Sequence, residues 1–137
     1  MIDQVDLETH TGGCYCGNVR YSVTGVLRDI VVCHCSQCRK QSGHQYATTL
    51  TSQDRVAIAG ENDITWFSAS KEARRGFCSC CGSHLFWWSN TNNDIAILAA
   101  SLDKPTGLKL GVHIFSADKG DYYEISDNLE QHDAYPV

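Results

Sequence analysis

Eight cysteines among 137 residues fall into three tight clusters: Cys14-x-Cys16, Cys33-x-Cys35-x-x-Cys38 and Cys78-x-Cys80-Cys81. Thiols one to three residues apart can turn their sulfurs toward one point, as a tetrahedral zinc ion about 2.3 Å from each sulfur requires. Eight thiols are enough for two such ions. A disulfide framework is the main competing chemistry, and eight cysteines would allow 105 pairings. An iron–sulfur cluster and a redox dithiol are further possibilities. Three observations favour zinc over disulfides. The opening MIDQVDLETH has neither the basic start nor the apolar run of a secretory signal. Cysteine makes up about 6% of the chain, below the roughly 8–10% of small disulfide scaffolds. Neighbours spaced C-x-C also bond poorly to each other, because their side chains point apart in extended backbone.

The spacing separates the two ions by what each would do. Joining Cys14 and Cys16 to Cys78 and Cys81 closes a loop of more than sixty residues, the kind of crosslink that restricts an unfolded chain most. That is the pattern of a structural zinc. Cys33, Cys35 and Cys38 lie within six residues and tie no distant segments together. Three protein ligands with an open fourth position are the catalytic arrangement. Cys80 is the complication. As the middle residue of a C-x-x-C knuckle it is expected to point away from the metal and pack in the core. If it instead joined the second ion, both sites would be closed and neither would have chemistry to do.

The elements that must position these thiols read as short strands. Runs rich in β-branched and aromatic residues recur at 19–24, 30–33, 46–51, 56–59, 64–68, 73–77, 84–89, 95–100 and 108–115. Turn signals separate them, which predicts a mainly β chain of antiparallel sheets. Helical periodicity is weak, with short turns expected only at 36–41 and 128–132. The Gly12-Gly13 pair reads as a break before the first cluster, and Gly82 as the positive-φ residue of a knuckle.

Length fits a single domain spanning residues 1–137. The longest apolar run, 95–100, is far short of the ~20 residues that cross a bilayer. The expectation is a cytoplasmic protein whose thiols stay reduced. A formal charge of −5 argues against nucleic acid as the partner, because that binding depends on clustered Lys and Arg.

The clusters and their flanks resemble one known family. GGCYCGNVRYSV is similar to its G-x-C-x-C-G-x-V-x-[YF] opening, VCHCSQCRKQSG to its C-H-C-x-x-C-R-K-x-x-G element, and FCSCCGSHLFW to its F-C-x-x-C-G-x-x-L element. The tail HIF…DYYEISDNLEQHDAYP is also similar. The family is that of the glutathione-dependent formaldehyde-activating enzymes, which includes the centromere protein V-like proteins. The resemblance implies an Mss4-like (β-tent) fold stapled by zinc. It implies structural zinc ligands at Cys14, Cys16, Cys78 and Cys81, and catalytic zinc ligands at Cys33, Cys35 and Cys38. One departure is visible: where members often carry a Lys-Ala-Pro-Trp-like segment after HIF, this chain has Lys119-Gly120-Asp121-Tyr122-Tyr123.

The chemistry so implied is that of S-(hydroxymethyl)glutathione synthase, a carbon–sulfur lyase. Its partners are a thiol such as glutathione and a carbonyl compound such as formaldehyde. The alternative is a non-catalytic, zinc-stabilised binding or scaffold module. For the enzyme, an open three-thiolate zinc suits a soft fourth ligand, and a substrate thiol is the natural one. Arg39 and Lys40 follow the third ligand and are the nearest cations for glutathione's carboxylates, with Arg74 and Arg75 further candidates. His34 is expected beside the metal as a hydrogen-bond donor and His113 as a core histidine. His44 is a candidate proton shuttle or fourth ligand, and His10 and His132 read as surface residues. Trp66, Trp87 and Trp88 are expected on the core and strand faces.

Overall fold

A computed structural model describes residues 8–136, which divide into two units. The first comprises residues 8–28 and Thr49–Gly107. It holds β1 (Thr9–Gly13), β2 (Arg20–Thr24) and β5 (Val56–Ala59), paired antiparallel in the order β1-β2-β5. It also holds an antiparallel meander of β6 (Ile64–Phe67), β7 (Ala73–Cys78), β8 (His84–Ser89) and β9 (Asp94–Leu98). Period-2 alternation is strict in β2, where Tyr21 and Val23 are buried between exposed or half-buried neighbours. Buried Val19, Val23, Leu85, Phe86, Ile95 and Ile97 make the core of this unit. Tyr21 meets Phe86 edge-on with ring centroids 5.3 Å apart, joining the two sheets.

The second unit comprises Asp29–Thr48 and residues 108–136. It contains β3 (Ile30–Cys33), α1 (Ser36–Ser42), the start of β4 (Tyr46–Ser52), β10 (Leu110–Ile114) and β11 (Glu130–Gln131). β3 pairs antiparallel with β4. The expected antiparallel rule ends at β10, which runs parallel to both β3 and β11. Residues 128–132, expected to form a helical turn, instead contain β11. Its two residues pair with Val112 and His113, so this distant edge overrides a weak local preference.

A second difference concerns β1. Gly12 and Gly13 do not break the chain but lie inside this strand. A Cβ at Gly12 would clash with the Ser101 carbonyl oxygen and the Tyr21 hydroxyl. The glycine marks a close approach of backbones, its other use within strands. Among the described residues, no helix is long and apolar enough to cross a membrane.

Candidate functional site: two sulfur clusters

Two knuckles of similar build hold the first cluster. After β1, the Cys14 N–H bonds the Val19 carbonyl at 3.0 Å and the Gly17 N–H bonds the Cys14 carbonyl at 3.2 Å. After β7, the Cys78 N–H bonds the Ser83 carbonyl at 2.9 Å and the Gly82 N–H bonds the Cys78 carbonyl at 2.8 Å. The glycine behind each pair, Gly17 or Gly82, takes φ of 84° or 80°, which turns the chain back without Cβ strain. The Sγ atoms of Cys14, Cys16, Cys78 and Cys81 all lie within 4.8 Å of one another.

Four sulfurs about 2.3 Å from a tetrahedral zinc would stand roughly 3.8 Å apart. Cys14 and Cys16 are 3.6 Å apart, and Cys16 and Cys78 are 3.8 Å apart. The donor set and its spacing therefore fit zinc. The surroundings hold two of the four thiols, Cys14 and Cys81, below their ordinary range, while Cys78 lies above its own and Cys16 is pushed up to about 12. The Val19 N–H donates to Cys14 Sγ at 3.2 Å, and Ser83 Oγ lies 3.2 Å from Cys81 Sγ while accepting the Tyr15 N–H at 3.0 Å. Ser83 thus links the two knuckles, and its hydroxyl beside Cys81 pulls that thiol down to about 5. Cys80 belongs to neither cluster. It is exposed rather than packed in the core, and its sulfur accepts a hydrogen bond from Asn18 Nδ2 at 3.1 Å. Its place at the outer tip of the knuckle keeps it in solvent.

The second cluster grows from the end of β3. Burial alternates through this segment: Ile30, Val32 and His34 are buried, while Val31, Cys33 and Cys35 are half-buried. Cys33 and Cys35 therefore share the face opposite His34. Cys35 then caps α1 in extended conformation (φ −66°, ψ 160°), its sulfur accepting the Cys38 N–H at 3.3 Å. Gly43 closes the helix in the left-handed region, bonding the Arg39 carbonyl at 2.9 Å. This one turn brings Cys38 back, and the three sulfurs lie within 4.8 Å of one another. The hydrogen bond to Cys38 and partial burial hold the Cys33 thiol well above its ordinary range. The group contains three sulfurs and no fourth His, Cys, Asp or Glu among the described residues.

His34 faces away from the sulfurs into a buried hydrogen-bonded chain that the sequence does not reveal. Its Nδ1 lies 2.7 Å from the Tyr123 hydroxyl and its Nε2 lies 2.8 Å from His113 Nδ1. His113 Nε2 in turn lies 2.9 Å from Asp127 Oδ2. Burial, reinforced by the neighbouring His113, pushes His34 down to about 4. The hydrogen bond from His113 holds the Asp127 carboxyl below the usual carboxylate range. His113 is a core histidine as expected, and His34 is hydrogen-bonded on both nitrogens.

The remaining candidates are placed as follows. Arg39 donates from Nε to the His34 carbonyl at 3.2 Å and to the Asp118 carbonyl at 2.9 Å, bracing the knuckle, while Lys40 is exposed. His44 is exposed, with Nδ1 2.6 Å from the Tyr122 hydroxyl. Arg74 packs over the rings of Trp66 and Trp88 at 4.7 and 5.3 Å, so its charge already has an aromatic partner. His10 and His132 are part-covered rather than fully exposed, each facing a glutamate.

Comparison with known proteins bears on the fold and the family. A solved structure of a Rhodobacter sphaeroides protein superimposes with a TM-score of 0.60 at 22% identity, covering 71% of this chain and 91% of that one. The likeness is one of fold, which is mainly β. Residues 9–118, which include all eight cysteines, match the model of the family described as glutathione-dependent formaldehyde-activating enzyme. The chain belongs to the glutathione-dependent formaldehyde-activating enzyme family.

Proposed function

We propose that this protein is a zinc-dependent carbon–sulfur lyase acting on the adduct of glutathione, or a similar thiol, with formaldehyde or a related carbonyl compound. In this reading Cys14, Cys16, Cys78 and Cys81 hold a structural zinc, and Cys33, Cys35 and Cys38 hold a catalytic one. The observation that carries it is the contrast between a sulfur group of four and a sulfur group of three. Residues 1–137 act as one zinc-binding domain in a reducing cytoplasm, a setting in which the eight free thiols remain available to metal.

A zinc ion in the three-sulfur group supplies a position for a soft ligand and favours the thiolate form of a substrate thiol. The protein's own residues do the rest. Cys33 and Cys35 project from one face of extended backbone, and the first turn of α1 adds Cys38, so the cup is set before substrate arrives. Arg39, braced through Nε, keeps its terminal nitrogens for a carboxylate, and exposed Lys40 offers a second cation. These two offset the chain's net charge of −5 where glutathione's carboxylates would approach.

In the forward direction a carbon–sulfur bond forms between the thiol sulfur and the carbonyl carbon. The proton that leaves sulfur ends on the former carbonyl oxygen, giving a hydroxymethyl thioether. The reverse step breaks that bond. Orientation of thiol and carbonyl supplies much of the acceleration, since bringing two free reactants together is entropically costly. The test is exchange NMR on glutathione and formaldehyde at equilibrium. The expected result is interconversion of glutathione and its hydroxymethyl adduct at least tenfold faster than without protein. No acceleration from protein carrying two zinc ions would refute the enzyme reading and leave the binding-module alternative.

A further inference from the structure

We propose that His113 and Asp127 are positioning residues for the three-sulfur cup, acting through the ring of His34. The proposal rests on the reading above, in which Cys33, Cys35 and Cys38 hold a metal. It adds residues to that reading from outside the sulfur cluster, and Asp127 also lies beyond the segment matched by the family.

The argument begins with what each cluster must hold in place. A four-thiolate site is fixed from four sides by its own ligands. A three-thiolate site leaves one side undetermined, so the rotation of the Cys33-His34-Cys35 segment must be set by something else. Alternation puts the His34 side chain on the opposite face of that segment from both sulfurs. A His34 ring held in place therefore limits how far the segment carrying Cys33 and Cys35 can rotate.

The ring has little freedom to turn. Its residue is fully buried, and both ring nitrogens are engaged, by Tyr123 at 2.7 Å and His113 at 2.8 Å. His113 is itself buried on β10, whose His113 and Ile114 pair with Val32 and Cys33. Asp127 closes the chain through both carboxylate oxygens, at 3.1 and 2.9 Å from His113 Nε2. A carboxylate accepts only. In the arrangement this sets, His113 donates from Nε2 and accepts at Nδ1, His34 donates from Nε2, and the Tyr123 hydroxyl donates to His34 Nδ1. Every polar atom of the two rings has one assigned partner. The backbone is held as well, because Arg39 Nε bonds the His34 carbonyl. Partners bonded directly to a metal ligand commonly change affinity 10–100-fold when removed, and His113 acts one residue further out, so the low end of that range is expected.

The test uses Cd2+ as the probe, with 113Cd NMR to resolve a four-sulfur from a three-sulfur site and a competing chelator to rank retention. In His113→Leu the three-sulfur site should lose cadmium on the order of tenfold more readily, with the four-sulfur site unchanged as an internal control. His113→Asn keeps an acceptor at the Nδ1 position and should restore most of the retention. Equal retention in wild type and His113→Leu would overturn the proposal. So would equal losses at both sites, which would mean a general loss of stability, or an Asn variant no better than Leu, which would mean that the acceptor facing His34 is not what holds the cup. If His113→Leu does not fold, Asp127→Ala carries the test from the solvent end of the chain. It should show the same selective loss to a smaller degree, and an unchanged three-sulfur site would refute the idea. A wild-type protein that takes up only one cadmium would sink the two-metal reading, and this proposal with it. Two bound ions with unaltered variants would sink only the proposal.

Discussion

Cys78→Ser should remove one of two bound zinc ions and lower the thermal unfolding midpoint on the order of 10–20 °C, or abolish cooperative unfolding altogether. Cys78 is fully buried at the end of β7, and its sulfur lies 3.8 Å from that of Cys16, sixty-two residues earlier in the chain. A metal shared across that interval restricts the unfolded chain far more than a local site can. It also holds β1 and β7 at one point, where their knuckles are further joined through Ser83 and through the hydrogen bond from Asn18 to Cys80. Serine lacks the soft thiolate, and the three remaining thiols cannot complete the site. Calorimetry paired with metal analysis reads both effects. A variant with one zinc and an unchanged midpoint would show that this cluster is not a clamp.

Cys35→Ser should also remove one zinc, but with it all enzyme-dependent exchange, while shifting the midpoint by no more than about 3 °C. The reason lies in the second role of Cys35. Its sulfur caps α1 by accepting the Cys38 N–H, and serine is among the best residues for that position. The substitution therefore takes away a soft ligand and leaves the helix cap. The loss of exchange should be complete, because two thiolates do not define the cup. Global unfolding of Cys35→Ser would mean that this cluster, too, is structural.

Both predictions rest on a division of the cysteines that their spacing suggests, and the sulfurs do gather in groups of four and three along it. Also readable were β3, β5 and β8, whose apolar runs coincide with the strands found at Ile30–Cys33, Val56–Ala59 and His84–Ser89. What could not be read depends on partners far away in the chain. β1 was hidden because glycine signals a turn locally, whereas Gly12 is demanded by the Tyr21 ring and the Ser101 carbonyl that press against it. β11 has only two residues and exists because β10 offers an edge. The chain from Tyr123 through His34 and His113 to Asp127 spans up to eighty-nine residues in its single links. No local pattern encodes it. The alternation that buries His34 opposite the two sulfurs was the one available hint.

The most direct measurement is a titration of the zinc-loaded protein with glutathione, followed by 15N NMR in wild type and Cys35→Ser. The account predicts saturable shifts confined to the amides around Cys33–Lys40 in wild type, and none in the variant. Wild-type spectra that stay unchanged there, or shifts that persist in Cys35→Ser, would contradict the claim that the three-sulfur cup is where the thiol binds.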